Sequence, residues 1–173
     1  MQFGHCEHLM DCLRTENLCK VYQSNGLEVA ALHGVDLRVE RGEFVSIVGP
    51  SGSGKTTLLN LIGGLDMPTS GNVYVDDLDI TAMNERQRSD LRLARIGFVF
   101  QEFNLIPVLS ARENVEYVML LQGMGQAEAS KQACATLALV GLQGLEERRP
   151  NQLSGGQQQR VAVARAIATG PSI

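Results

Sequence analysis

No apolar run in this 173-residue sequence approaches the 18 or more residues that a bilayer-spanning helix needs. The longest candidates, Leu58–Leu65 and Val115–Leu121, are interrupted by asparagine, glycine or glutamate. The first residues lack the basic stretch and apolar core of a signal peptide. The net charge of −4 is also not the basic excess typical of nucleic-acid binding. We therefore expect a cytoplasmic protein without a nucleic-acid partner, which leaves peripheral attachment to a membrane protein open.

Cysteine is scarce, and the four residues present favour free thiols over a metal site. A superficially metal-like group lies near the N-terminus and consists of His5, Cys6, His8 and Cys12. Its spacing matches none of the usual zinc patterns, so unpaired cytosolic thiols are the favoured interpretation. Residues 1–12 are predicted to be a disordered extension before one domain at 13–173. Met10 is an alternative start, which an intact mass beginning at Met1 would refute.

The distribution of apolar residues predicts an α/β fold with a mainly parallel sheet and flanking helices. Two predicted strands have sequences typical of strands covered on both faces, Phe44–Val48, which is almost unbroken in its apolar character, and Ile96–Phe100. The other predicted strands are Leu13–Tyr22, Val35–Val39 and Asn72–Asp76. The predicted helices are Lys55–Ile62, Asn84–Arg95, Ala111–Gln122, Gln126–Val140 and Ser154–Thr169.

Residues 49–56 fit the phosphate-loop pattern G-x-x-x-x-G-K-[ST] at every fixed position. A predicted strand enters the loop and a predicted helix leaves it, as a phosphate cradle requires. Glycines let backbone N–H groups face phosphate oxygens without Cβ clashes, and the helix N-terminus favours negative charge. Lys55 would reach the β- and γ-phosphates, and Thr56 would offer its hydroxyl to Mg²⁺. The candidate nucleotide-binding residues are Gly49, Pro50, Ser51, Gly52, Ser53, Gly54, Lys55, Thr56 and Thr57.

A second motif, Leu-Ser-Gly-Gly-Gln at 153–157, opens the last predicted helix. Ser154 and Gln157 have the S-x-x-Q spacing of a capping box, so a well-capped helix start is one interpretation. Two consecutive glycines in a first turn are unexpected on that interpretation, because each costs about 1 kcal/mol of helix propensity relative to alanine. Glycines there suit a backbone that a ligand approaches closely. A helix N-terminus with a free serine hydroxyl is then a second anion site.

Residues 49–56 resemble the Walker A motif of the ABC ATPase family, and residues 153–157 resemble its signature motif. The two motifs occur in the same order as in the family. The resemblance covers almost the whole chain from about Leu13 onward. It implies a P-loop NTPase with an N-terminal antiparallel β subdomain and a helical subdomain that carries the signature. It also implies ATP and Mg²⁺ as cofactors, ATP hydrolysis coupled to transport, and transmembrane permease partners at the inner face of the cell membrane.

The resemblance further implies a head-to-tail pair of nucleotide domains, with a homodimer as the simplest case. In the family, each signature grips the γ-phosphate bound on the partner's loop. The residues implied to act in trans are Ser154, Gly155, Gly156 and Gln157.

Two other positions match the family pattern individually. Tyr22 lies where an aromatic residue stacks on adenine, although alone it would be an ordinary strand tyrosine. Gln101 resembles the Q-loop glutamine, which contacts Mg²⁺ or the attacking water and would act in catalysis with Lys55. Alone it would be a loop residue. The segment Glu102–Pro107 would then contribute to docking on a membrane partner.

Two segments, Arg95–Pro107 and Leu153–Ala168, look most like the ATPase subunits of lipoprotein-release and macrolide-export systems. The family pattern continues with a strand ending in Asp-Glu and a switch histidine, and neither follows the signature here. Val73–Asp77 resembles such a strand but precedes the signature, so an edge strand and solvated turn are the favoured interpretation. We expect negligible hydrolysis by this chain alone, and exposed apolar faces on Phe44–Val48 and Ile96–Phe100.

Other function classes stay open at this point. A soluble ABC protein acting on ribosomes or DNA usually carries a second cassette or long inserted arms, which this sequence lacks. A non-hydrolysing nucleotide-binding module is a further alternative. A P-loop kinase is disfavoured by the second motif.

Overall fold

The computed structural model describes residues 11–24 and 26–173, which divide into two compact units. The first unit comprises the described residues up to Ser89 together with Ser172, and the second comprises residues 90–171 with Ile173. The strands are β1 (Asp11–Ser24), β2 (Leu27–Glu40), β3 (Ser70–Val75) and β4 (Leu78–Asp79). The helices are α1 (Lys55–Ile62), α2 (Glu85–Arg95), α3 (Ala111–Leu121), α4 (Gln126–Leu139) and α5 (Gly155–Ile167).

The first unit contains a four-stranded antiparallel sheet in the order β2-β1-β3-β4. This confirms the predicted N-terminal antiparallel β subdomain. The sheet begins at Asp11 and buries Cys12, so the last two residues of the predicted disordered extension are ordered sheet residues. Residues 1–10, with Met10, His5, Cys6 and His8, lie outside the described residues. Helix α1 packs against the sheet, and Leu58 and Leu61 are buried there.

A β-bulge interrupts β1 halfway along its length. Glu16 pairs with Asn72 and Cys19 with Ser70, so two residues of β1, Asn17 and Leu18, lie opposite the single residue Gly71. Asn17 has φ 44, and its N–H donates to the Asp36 carboxylate at 2.6 Å. The bulge changes which positions of β1 face the core, because Leu13 and Thr15 are buried before it and Leu18 after it.

The prediction of two strands buried on both faces is wrong. Neither 44–48 nor 96–100 forms a strand in the described structure, and Phe44 and Val48 are 95% and 86% exposed. A doubly buried strand depends on hydrogen-bonded neighbours on both sides, which the sequence of the strand itself does not supply. The expected exposure of these apolar segments is confirmed, and Val99 is also half exposed.

The prediction of a mainly parallel sheet is also wrong for the residues that the structure describes, because all their ladders are antiparallel. One local trace of parallel pairing exists in the second unit. Ile173 donates its N–H to the Arg95 carbonyl at 3.1 Å, and Gly97 donates to the Ile173 carbonyl at 2.8 Å. These are the slanted bonds of a parallel pair, limited to a single bridge.

The second unit is helical, and α3, α4 and α5 surround one apolar core. The central side chains are Val115, Met119, Leu137, Leu142 and Val161, all fully buried. Helix α3 begins with a capping box formed by Ser110 and Glu113. The predicted helices therefore exist, with bounds that agree within two residues.

Three cysteines lie in the described part of the chain, and each is a free thiol: Cys12, Cys19 and Cys134. Burial is the largest cause that raises the pKa of Cys12, which keeps its thiol protonated at neutral pH. Residues 11–24 and 26–173 contain no group of three or more His, Cys, Asp or Glu placed to hold a metal ion. Among the same residues, no helix has the length and apolar character to cross a membrane.

Candidate functional site

The candidate phosphate loop, residues 49–54, leads directly into α1 in the first unit. Gly52 and Gly54 have φ of 80° and 86°, a backbone conformation that only glycine adopts freely. At Gly54 a Cβ would come within 2.5 Å of the Ala31 carbonyl oxygen, so both backbone angle and space require glycine there. The fixed glycine Gly54 thus has a physical cause in the loop and in its contact with β2, and Gly52, at a variable position of the motif, has one in its backbone angle.

The ammonium of Lys55 lies inside the curve of this loop. Its Nζ donates to the carbonyl oxygens of Gly49 at 2.9 Å and Pro50 at 2.7 Å, and it lies 3.4 Å from the Ser53 hydroxyl. Helix α1 has glycine at its N-cap and no acidic residue in its first turn. The positive end of the helix and the lysine charge therefore point to the same place.

A cavity of about 590 Å³ opens at this loop. It is lined by Tyr22, Ala31, Ser51, Gly52, Ser53, Gly54, Lys55, Thr56 and Thr57. The structure thus brings Tyr22, predicted as a base-stacking residue, to the same cavity as the loop. Gly49 and Pro50 are not in this lining, but their carbonyls accept hydrogen bonds from Lys55. Ala31 was missed by the sequence analysis, and only its position on β2, where its carbonyl crowds Gly54, reveals it.

The chemistry of the cavity lining fits a magnesium-bound polyphosphate. None of the described residues that line it is acidic, and one is cationic. Backbone amides at the start of α1 and the Lys55 ammonium are donors for phosphate oxygens. The exposed Thr56 supplies a hydroxyl oxygen, the ligand type that Mg²⁺ accepts beside phosphate oxygens and water.

The signature segment belongs to the second unit and starts α5. Ser154 Oγ accepts the Gln157 N–H at 3.3 Å, and Gln157 Oε1 accepts the Ser154 N–H at 2.8 Å. The predicted capping box therefore exists, and the Ser154 hydroxyl is not free, although its own proton stays available to donate. A Cβ at Gly155 or Gly156 would meet nothing within 4 Å, so packing among residues 11–24 and 26–173 does not explain either glycine.

Gln101 also lies in the second unit, exposed in a turn that follows 96–100. The next residues, Phe103 and Asn104, both have positive φ, at 60° and 47°. Arg165 of α5 holds them, because its guanidinium donates to the Asn104 carbonyl at 2.6 Å and to the Phe103 carbonyl at 2.7 Å. Burial lowers the pKa of Arg165. This contact could not be predicted from the sequence because it joins positions about sixty residues apart.

Comparison with known proteins places the chain in a family. The profile of the ABC transporter family matches residues 32–173. An uncharacterized ABC transporter ATP-binding protein of Methanocaldococcus jannaschii, MJ0796, is 46% identical over 165 residues, covering 93% of this chain and 70% of the relative. The macrolide export ATP-binding/permease protein MacB of Brucella melitensis is 46% identical over 161 residues, covering 93% of this chain and 25% of the relative. The lipoprotein-releasing system ATP-binding protein LolD of Legionella pneumophila is 45% identical over 159 residues, covering 92% of this chain and 70% of the relative.

Solved structures give the same result for the fold. A dimeric structure of the cassette MJ0796 bound to ADP and Pi matches with a TM-score of 0.87 and 46% identity, covering 92% of this chain and 70% of that one. The chain thus spans between about a quarter and 70% of these relatives. The chain belongs to the ABC transporter family, and it is an ATP-binding cassette of that family.

Proposed function

We propose that this cassette binds MgATP in the cavity at the phosphate loop and couples it to transport in a larger complex. The observation that carries this proposal is the convergence of the Lys55 ammonium and the α1 N-terminus on one cavity that is also lined by Tyr22. The triphosphate would lie along residues 51–57, and the purine would reach Tyr22. Lys55 would exchange its two carbonyl contacts for the β- and γ-phosphates.

Mg²⁺, when bound, neutralises charge on the β- and γ-phosphate oxygens and orients them. Thr56 would hold it from the loop side through its hydroxyl. Gln101 would orient the attacking water. This role for Gln101 is supported by its exposed position after residues 96–100 and by the Arg165 contacts that fix the turn behind it.

We further propose that two copies sandwich the nucleotides head to tail. Ser154, Gly155, Gly156 and Gln157 would contact the γ-phosphate on the partner's loop. The open space around both glycines supports this, since a ligand from outside the chain is what they would admit. Solved structures of the MJ0796 cassette are dimeric, which supports the pairing of two copies.

Membrane permease subunits would be the other partners, with the cassette on the cytoplasmic face of the membrane. Two relatives, an ATP-binding/permease protein and the ATP-binding protein of a lipoprotein-releasing system, support this class of partner by their names. The segment Glu102–Pro107 would contribute to the contact.

For hydrolysis, the chain needs a carboxylate to position water, and none of the described residues lining the cavity supplies one. We propose that the 173-residue polypeptide by itself binds MgATP without turning it over at a normal ATPase rate.

Equilibrium titration of the 173-residue chain with ATP, in MgCl₂ and in EDTA, tests nucleotide binding directly. We expect saturable 1:1 binding in MgCl₂ that weakens several-fold in EDTA, and phosphate release at least about 1,000-fold slower than a turnover of 10 s⁻¹. Absence of saturable binding up to millimolar MgATP would overturn the proposed function. Rapid phosphate release would overturn only the proposal about this polypeptide.

The trans role of Ser154 predicts a selective loss of dimerisation in Ser154→Ala. Loss of one hydrogen bond to a charged group costs about 1.5–3 kcal/mol, so the ATP-dependent dimer should weaken at least about tenfold. Sedimentation in MgATP measures the strength of the dimer. The affinity of the monomer for ATP should stay unchanged. Ser110→Ala is the matched control, because Ser110 forms the same capping box on α3. Equal weakening of the dimer by both variants would show that Ser154 acts only by capping its helix.

A further inference from the structure

The side chain of Tyr22 is held in place before any nucleotide arrives. It lies near the end of β1, is 38% exposed, and lines the cavity of the phosphate loop. A tyrosine at the end of a strand would ordinarily adopt several rotamers, and a mobile ring is a poor stacking surface. What fixes this ring is therefore of functional interest, if the proposed function holds.

Two charged residues contact the ring and each other. The Tyr22 hydroxyl donates to Asp66 Oδ2 at 2.9 Å, and the Lys20 ammonium lies over the ring, 4.8 Å from its centre. Lys20 also donates to Asp66 Oδ1 at 2.8 Å and to the Met67 carbonyl at 2.6 Å. The three side chains form a closed set of contacts, which we call the Tyr22 clamp: Lys20, Tyr22 and Asp66.

Backbone contacts anchor Asp66 to the helix that carries the phosphate loop. The N–H groups of Leu65 and Asp66 donate to the carbonyl of Asn60 in α1, at 2.8 and 3.3 Å. Thr69 donates its N–H to the Cys19 carbonyl at 2.9 Å, and its hydroxyl accepts the Val21 N–H at 2.9 Å. The clamp thus connects Tyr22 on β1 to the C-terminal half of α1.

The carboxylate of Asp66 is charged under ordinary conditions. Burial raises its pKa, but hydrogen bonds from Lys20, the Met67 N–H and Tyr22 outweigh burial and leave the pKa below its usual value. The Lys20 side chain is only 13% exposed, so its ammonium is held against the ring instead of extending into water. A cation on one face of an aromatic ring draws electron density from the other face.

Lys20 lies over one face of the ring and is not among the described residues that line the cavity. The other ring face is then available to a base. We propose that Lys20 and Asp66 are positioning residues that fix the Tyr22 ring as a stacking platform and thereby set the base-dependent part of nucleotide affinity. The ligand class is a purine nucleoside triphosphate, whose large π-system gains most from a rigid ring.

Two probes separate positioning of the ring from general damage to the site: MgATP and magnesium tripolyphosphate, which lacks a base. An aromatic stacking pair contributes roughly threefold to tenfold to affinity. In Asp66→Ala we expect the affinity for MgATP to fall by about that factor, while tripolyphosphate affinity stays within about twofold. In Tyr22→Phe, which keeps the ring and loses the tether, we expect about a threefold fall for MgATP alone.

The double variant Tyr22→Phe/Asp66→Ala should bind MgATP no more weakly than Asp66→Ala, because both changes remove the same hydrogen bond. Asp90→Asn, on the exposed side of α2, is the control and should alter neither affinity. If Asp66→Ala does not fold, Tyr22→Phe decides alone. An unchanged ratio of the two affinities in the variants overturns this inference and leaves the proposed function intact, whereas a wild-type chain that binds neither probe overturns both.

Discussion

We expect the Lys55→Ala variant to lose MgATP affinity by about 100-fold or more. The lysine ammonium is the one cationic side chain among the described residues that line the cavity, and it already lies within the loop. A hydrogen bond to a charged group contributes about 1.5–3 kcal/mol, and two such bonds to phosphate oxygens would account for about 3 kcal/mol or more. Calorimetric titration with MgATP measures the loss.

The control for charge is Lys131→Ala, an exposed lysine on α4 outside the loop. It removes the same charge from the chain and should leave MgATP affinity unchanged. Unfolding of Lys55→Ala should differ little from that of the unsubstituted chain, since the two carbonyl contacts of Lys55 are exposed. Undiminished MgATP affinity in a folded Lys55→Ala chain would show that the loop is not the nucleotide site.

The local elements of the fold could be predicted from the sequence because their causes are local. Helix α1 starts at a glycine-rich loop and ends at two glycines, and both ends were predicted correctly. The capping box of Ser154 was visible in four residues. Such features depend on interactions within one turn, which is the distance over which a sequence pattern is informative.

Features that depend on distant partners could not be predicted. The segment Phe44–Val48 has the composition of a buried strand, but burial requires neighbours, and it is exposed. The bulge at Asn17 arises from how β1 pairs with β3, and no residue of β1 alone specifies it. The Tyr22 clamp joins Lys20 and Asp66 across the chain, and only the folded structure reveals the contact.

The bulge also connects the fold to the site. Residues on β1 alternate between faces, so the extra residue at Asn17–Leu18 determines which side Lys20 and Tyr22 occupy. Further register shifts against β2 follow between Leu18 and Lys20 and between Lys20 and Val21, so the irregular pairing of β1 as a whole precedes Tyr22. The path of β1 toward a predicted nucleotide-stacking residue therefore includes a bulge opposite Gly71, some fifty positions away along the chain.

We expect Gly71→Ala to destabilise the first unit by about 2–5 kcal/mol. Gly71 has φ 86, and a Cβ there would overlap the carbonyl oxygen of Asn17 and come within 2.6 Å of that of Glu16. Left-handed backbone costs a non-glycine residue about 1–2 kcal/mol, and overpacking adds about 1–3 kcal/mol. Gly42→Ala separates the backbone cost from the overpacking cost. Gly42 has φ 78, but a Cβ there would meet nothing within 4 Å. We therefore expect this variant to lose only about 1–2 kcal/mol of stability. Urea unfolding of the two variants measures the difference, and equal losses would show that β1 and β3 move apart at the bulge without cost.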